Sequence, residues 1–286
     1  MGILFALGAL VSWGIGDFLI QRSARKFGDG IALFFITAIG AIVLLPFVWS
    51  DISLIFEVSR TGIILWGAGL VLLVAALLDF EALRIGKISV VEPIYSLEIA
   101  ITAILGYWFL RENLTLLQIL LIAVLMSGIF LVSMQRLAAS KMLRLERGVL
   151  LAIAATVMMG AVNFMFGFGA RETTPLLINW FTSAFIAVIM ACYLTLRGEW
   201  GHLRRQWRTS RPLILAVGFI DNMAWIFYAY STLTIPIAIA TAISESYIVL
   251  AVLLGLWLNH ERLRRHQSLG LVIAVAAAIA LASTLE

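Results

Sequence analysis

Residues 2–26, GILFALGALVSWGIGDFLIQRSARK, align without a gap on residues 148–172, GVLLAIAATVMMGAVNFMFGFGARE. Nine of the 25 positions are identical, among them Gly14 with Gly160, Phe18 with Phe164 and Arg25 with Arg171. A second match falls further along each half: Gly106-Tyr107-Trp108 followed by Glu112 corresponds to Gly255-Leu256-Trp257 followed by Glu261. Self-similarity on this scale fixes an architecture before any local reading does. The chain is predicted to be two copies of one unit, 1–137 and 148–286, joined by a cytoplasmic linker at 138–147.

What each copy is made of follows from composition. Of the 286 residues, 63% are hydrophobic and 13% charged, whereas a soluble domain carries about 25% charged residues. Apolar runs of about 20 residues, long enough for a hydrocarbon core of roughly 30 Å, recur along the chain. They fall near 2–22, 30–49, 62–83, 88–110, 115–135, 148–169, 175–196, 211–232, 236–258 and 268–285. Alternating ten-residue strands are absent, which excludes a β-barrel. Each copy thus holds five spans, an odd number, so the second must enter the membrane from the opposite side. The expected fold is an all-α integral membrane protein of ten transmembrane helices, arranged as two inverted five-helix repeats around a central cavity.

Charge gives an orientation. Alternate connections hold 17 of the 20 Lys and Arg residues, and the other side holds only Arg60, Arg111 and Arg171. The basic side is cytoplasmic by the positive-inside rule, which predicts a plasma or bacterial inner membrane protein with both termini outside. The net charge of +4 is explained by topology, so no nucleic-acid partner is expected. The single cysteine, Cys192, is read as a buried small apolar residue.

Against this apolar background the polar residues stand out. In Val91-Glu92-Pro93-Ile94-Tyr95-Ser96-Leu97-Glu98-Ile99-Ala100-Ile101-Thr102, helical spacing puts Glu98, Thr102, Tyr95, Glu92 and Ser96 on one arc of about 160°. Charge at bilayer depth is costly, roughly 2.5–3.5 kcal/mol or more per group, so such an arc faces a path for substrate or protons. In the repeat alignment Glu92, Tyr95, Ser96 and Glu98 correspond to Thr241, Ser244, Glu245 and Tyr247. Span eight adds Asp221 and Asn222 with Trp225 beyond. Span one adds Asp17 with Trp13 one turn earlier, and the counterpart of Asp17 is Asn163. Asp17, Glu98, Asp221 and Glu245 are therefore the candidate substrate-binding or proton-coupling groups. Trp13, Tyr95, Ser96, Asn163, Asn222, Trp225, Ser244 and Tyr247 are the candidate cavity lining. No Lys or Arg lies mid-span, so the expected cavity is acidic and suits an amine-bearing substrate, with aromatic walls available for cation–π contact. Glu92, Asp79 and Glu81 are read as solvated or paired with Arg84 or Lys87 at helix ends. Glu112 and Glu261 are read as caps of the helices that follow them.

Trp13-Gly14 followed by Asp17-Phe18, Ala82-Leu83-Arg84 closing span three, Leu110-Arg111-Glu112-Asn113-Leu114-Thr115 and its counterpart Leu258-Asn259-His260-Glu261-Arg262-Leu263 together resemble the drug/metabolite transporter superfamily, as two tandem EamA-type domains. The resemblance covers nearly the whole chain. It implies a ten-helix basket with a cavity lined by spans one, three, four, six, eight and nine, and export of small metabolites such as amino acids. Typical members have their termini inside, and the basic residues of this chain depart from that pattern.

Failed motifs narrow the function further. His260-Glu261 with His266 lacks the four-residue spacing of a zinc helix, and neither a Walker lysine nor a G-x-S-x-G turn occurs. No metal, no cofactor and no enzymatic activity is expected. A sugar-phosphate substrate would want a fixed cation in the cavity. The reading is a secondary transporter, functional as a monomer, that exports amine-bearing, amino-acid-like metabolites by alternating access. Protons would move the other way through the midplane carboxyls. Efflux of organic cations, polyamines or drugs is the alternative.

Overall fold

The computed structural model describes residues 1–56, 60–85, 94–133, 147–247, 249–250 and 264–285. Glu92, Pro93, Lys87, Trp257, Glu261 and most of the linker lie outside them. Among the described residues the chain is all-helical. In order come α1 (Gly2–Phe27), α2 (Asp29–Val48), a 3₁₀ turn (Trp49–Phe56), α3 (Arg60–Ile85), α4 (Glu98–Leu110) and α5 (Leu116–Ser133). Then follow α6 (Arg147–Glu172), α7 (Pro175–Arg197), α8 (Trp200–Thr232), α9 (Ile237–Ser244) and α10 (Arg265–Ser283). Eight of these stretches are long and apolar enough to cross a bilayer. Hydrocarbon leaves the backbone no water to bond, so the helix is the natural solution for such segments.

Local signals set several boundaries. Thr174 caps α7 by accepting a hydrogen bond from Leu177 N, and Pro175 fills the first turn, where its missing N–H costs nothing. α8 runs 11 residues further back than the apolar run at 211–232 because a second helical segment, 200–209, is joined to it across a kink. Ser210 sits there at φ −137°, ψ 23°, two residues before Pro212. The positive φ of Arg111, 52°, turns the chain out of α4.

Nearly all the large interfaces join the two halves. α1 packs on α8, α3 on α6, α5 on α10, α2 on α7 and α4 on α9. Replacing each helix by its counterpart five places along leaves that set unchanged. Lipid is as apolar as leucine, so close backbone approach rather than hydrophobic exclusion holds such helices together. At the α5–α10 crossing a Cβ on Gly128 would lie 2.6 Å from Ala274 N, and one on Gly270 would lie 2.8 Å from Gly128 O.

Contacts at the helix ends define two faces. At one, Gly2 abuts Thr234 and Ile235, and Arg171 at the end of α6 bonds Ile235 O at 3.0 Å. Thus α1 begins where α6 ends. At the other, Arg84 at the end of α3 bridges to Asp29 at the start of α2 at 3.0 Å and also to Glu81. Cys192, expected in the interior, is exposed on α7. Outward positions of a membrane helix are apolar too, so hydropathy does not separate them from the core. Phe18, Phe47, Trp108, Phe109 and Val188 are exposed in the same way.

Candidate functional site

Between mid-depth and the Arg84 face lies a cavity of about 90 Å³. α1 lends it Trp13, Asp17 and Ile20; α3 lends Leu72, Ala76, Asp79 and Phe80; α8 lends Asp221, Asn222 and Trp225. α2 contributes Leu33, Ile36 and Thr37, α7 contributes Asn179, Ser183 and Ile186, and α6 contributes Met159. Three carboxyl groups and no Lys or Arg are among these lining residues. The carboxyls are close enough to act on one another: Asp79 on Asp17, Asp221 and Glu245, and Asp17 on Glu245. Trp13 meets Trp225 edge to face at 5.2 Å, and Trp225 in turn packs on Phe166 at 4.4 Å.

Beside the cavity is a second, sealed polar cluster. Glu98 and Glu245 are 5% and 8% exposed, and Asn163 between them is 1% exposed. The Asn163 amide donates to Glu98 Oε2 at 3.4 Å and to Glu245 Oε1 at 3.5 Å, both long for such bonds. Asn163 Oδ1 has no hydrogen-bond partner among the described residues. Two tyrosines close to these glutamates in sequence reach the cavity acids, with Tyr247 hydrogen-bonded to Asp17 and Tyr95 facing Asp79. Tyr228 fixes the frame by donating to Asn163 O at 2.9 Å and pairing with Thr241 Oγ1 at 2.8 Å.

Both helices that carry these glutamates are interrupted at matching places. Leu97 N bonds Ile94 O three residues back, at 3.1 Å, immediately before α4 starts at Glu98. Ser246 N does the same to Ile243 O at 3.2 Å, immediately after α9 stops at Ser244. The two bonds are 149 residues apart at both donor and acceptor, which is the register of the repeat alignment. A local tightening from four-residue to three-residue bonding re-aims side chains, and here it puts a glutamate at each break.

Asn222 is fixed in the cavity wall by three helices. Its amide donates to Ile36 O at 3.1 Å and Gly218 O at 2.8 Å, and its Oδ1 accepts from Ser183 Oγ at 3.3 Å. Gly40 makes room, since a Cβ there would sit 2.0 Å from Asn222 Oδ1. At the opposite face a charged group ties the two halves together. Arg171 Nη1 pairs with Glu112 Oε1 at 2.7 Å, while its other nitrogens bond Thr232 O at 2.7 Å and Ile235 O at 3.0 Å. Glu112 in turn accepts from Ile237 N at 2.9 Å and 3.1 Å. It therefore caps α9 from the other half of the molecule and not, as its position suggests, the helix that follows it.

Asp17, Asp221, Trp13, Asn222 and Trp225 thus come together at the cavity. Glu98, Asn163 and Glu245 come together next to it, with Tyr95 and Tyr247 between. Ser96 is buried at the α4 break. Ser244 is turned to its own helix, donating to Ala240 O at 2.7 Å and Thr241 O at 3.2 Å. The resemblance placed spans four and nine in the cavity wall. Among the described residues those places are taken by α2 and α7, and α4 and α9 supply the sealed cluster. Asp79, expected at a solvated helix end, lines the cavity, whereas Glu81 does pair with Arg84. Asp79 could have been found from its face: Leu72, Ala76, Asp79 and Phe80 are spaced at four, three and one, so they share one side of α3. Thr37, Asn179 and Ser183 gave no such signal, because hydroxyls and amides in helices commonly bond their own backbone.

Residues 1–134 and 146–283 each match the EamA-like transporter family. The chain belongs to that family of multi-pass membrane proteins, which carry small molecules, and it holds the family unit twice. An uncharacterized protein of Methanocaldococcus jannaschii is 28% identical over 131 residues, 46% of this chain and 95% of its own length. A crystal structure of a protein superposes with TM-score 0.73 over 99% of this chain and 96% of that one, at 14% identity. At that identity the likeness speaks for the fold alone.

Proposed function

We propose that this protein is a secondary transporter that exports small amine-bearing metabolites in exchange for protons. The observation that carries the reading is the grouping of Asp17, Asp79 and Asp221 around one cavity in which no Lys or Arg is found among the described lining residues. An ammonium group entering it would supply the missing counter-charge. A neutral or anionic solute would find only acceptors and repulsion. The Glu98–Asn163–Glu245 cluster, reached through Tyr247 and Tyr95, supports a proton site distinct from the substrate site. Among the described residues Asn163 Oδ1 has no donor, and such an acceptor is what a protonated carboxyl needs as a partner.

Several features support alternating access between two oppositely inserted five-helix repeats. Each central helix is broken at the same repeat position, α1 begins at the face where α6 ends, and one face is closed by the Arg171 lock while the cavity lies toward the other. With the basic face taken as cytoplasmic, this arrangement is open inward and both termini are outside. The amino-acid-like substrate belongs to this reading. So does a functional monomer, since the two halves enclose the cavity without another copy.

The test is counterflow in proteoliposomes with radiolabelled amino acids and simple amines, at several proton gradients. Uptake that depends on an opposing proton gradient and is lost in Asp221→Asn supports the scheme. Equal flux with and without a gradient, or an unaffected variant, overturns it. The Trp13–Trp225 wall favours one second reading, organic-cation efflux, because an indole can hold a cation without any exchangeable proton. Saturable transport of a quaternary ammonium ion in place of amino acids would select that alternative.

A further inference from the structure

The helical segment at 200–209 has no part in the site above. It carries Arg204, Arg205 and Arg208, with Arg211 just past the kink, and all four are exposed. At 100° per residue the first three span an arc of about 100°. Arg60, Arg84 and Arg171 each meet a carboxylate. Among the described residues none of these four does, and Glu199 is the only acid in the segment's sequence neighbourhood. The other side of the segment is apolar and anchored: Leu203 is buried, Trp200 meets Phe34 edge to face at 5.8 Å, and Trp207 stacks on Phe35 at 6.0 Å. The Arg211 guanidinium lies 5.7 Å over the Trp207 ring. Immediately beyond Ser210 the chain enters the membrane span of α8. The basic arc therefore adjoins the start of the apolar run 211–232, at the Arg84 face, with Trp200 and Trp207 beside it.

We propose that this segment is a binding site for anionic phospholipid headgroups. Phosphodiester oxygens accept the forked N–H groups of arginine, and a basic amphipathic helix flanked by Trp at a span's end has the geometry of an interfacial one. The site also bears on the cavity. Phe34 and Phe35, on which the segment rests, sit between Leu33 and Ile36 of the cavity wall. A lipid that holds residues 200–209 in place holds the start of α2 with them. The inference does not depend on what is transported or on which side is cytoplasmic.

The experiment measures thermal unfolding of the full chain in neutral detergent micelles doped with phosphatidylglycerol, with phosphatidylcholine, or with inorganic phosphate in solution. Phosphatidylglycerol should raise the midpoint by roughly 3 °C or more, and the other two by less than about 1 °C. Arg204→Gln/Arg205→Gln/Arg208→Gln should lose most of that rise yet unfold as wild type does in phosphatidylcholine, and the corresponding triple Lys variant should keep most of it. Equal stabilisation by phosphatidylcholine or by free phosphate overturns the proposal, as does an undiminished rise in the Gln variant. Should the Gln variant be unstable in every lipid, salt decides on the wild type. About 0.5 M NaCl should abolish the phosphatidylglycerol effect, and its persistence rejects the site.

Discussion

Carboxylates occur in two settings in this protein, and they are treated in opposite ways. At the Arg171 face, Glu112 has a guanidinium at 2.7 Å and a helix N-terminus within 3.1 Å, so its charge is matched on two sides. In the cavity, Asp17, Asp79 and Asp221 have one another and hydroxyl or amide neighbours, and among the described residues no Lys or Arg lines the space. Burying a charge is tolerable when it is paired and costly when it is not. Arg171, at the end of α6, is matched to Glu112, which makes that acid architectural, whereas no guanidinium among the described residues lines the cavity with the three aspartates. On the proposed function, the three aspartates are the groups that would receive a charge arriving with the substrate.

The sharpest way to break that contrast is to neutralise the cavity acids. Asp79→Asn and Asp221→Asn should each lower transport at least about tenfold, equivalent to about 1.4 kcal/mol. Thermal stability should hold steady or rise, since a repelling neighbour has been removed. Both quantities can be read on the same purified sample, by proteoliposome flux and by thermal unfolding. If either variant lost stability as a broken ion pair does, the aspartates would be structural and the contrast would fail.

Arg171→Ala is the converse. It strips the partner from Glu112 and leaves the Thr232 and Ile235 carbonyls without their donor, for a loss of about 3 kcal/mol. In a chain of this size that lowers the midpoint by roughly 6–12 °C. Glu112→Gln keeps an acceptor for Ile237 N and should cost less than half as much. A transport defect in Arg171→Ala without any stability defect would move this lock from scaffold to gate.

How much of this was legible beforehand follows the same division. Residues whose cost is paid at the level of one helix could be read directly: a charge in the middle of an apolar run, as at Asp17, Asp221, Glu98 and Glu245, has no local solution and must face something polar. The family resemblance and the multi-pass helical fold were legible for the same reason, since composition and repetition are properties of the string. Residues whose role is set by a partner far along the chain were not. Glu112 looked like a local cap because α5 follows it, and only the folded arrangement brings Ile237 to it across 125 residues. Asp79 looked terminal because Glu81 and Arg84 follow within a turn and a half, yet the helix runs on to Ile85 and its inward face includes Asp79. The breaks at Leu97 and Ser246 involve no glycine or proline at those positions, so nothing in the residues themselves announces them.

A subtler test addresses how the cavity wall is kept. Gly40→Ala forces a methyl to within 2.0 Å of Asn222 Oδ1, an atom whose side chain is tied to α2, α7 and α8 by hydrogen bonds. Because the amide is not free to swing away, overpacking here should cost about 2 kcal/mol and disturb the cavity together with the fold. Gly40→Ala combined with Asn222→Ala should recover part of the stability and none of the transport. Full recovery of transport in the double variant would mean that Asn222 serves packing alone.

The smallest expected effect distinguishes position from participation. Ser244 occupies a repeat slot matching Tyr95 and is fully buried, which by sequence makes it as good a cavity residue as any. Among the described residues, however, its hydroxyl bonds carbonyls of its own helix alone, and those carbonyls lose little when a supplementary donor is withdrawn. Ser244→Ala should therefore change stability by no more than about 0.5 kcal/mol and leave transport and its pH profile at wild-type values. Were that variant to behave like Asp221→Asn instead, the hydroxyl would have to turn toward the carboxyl groups during the cycle. The α9 break beside it would then be a moving joint and not a fixed kink.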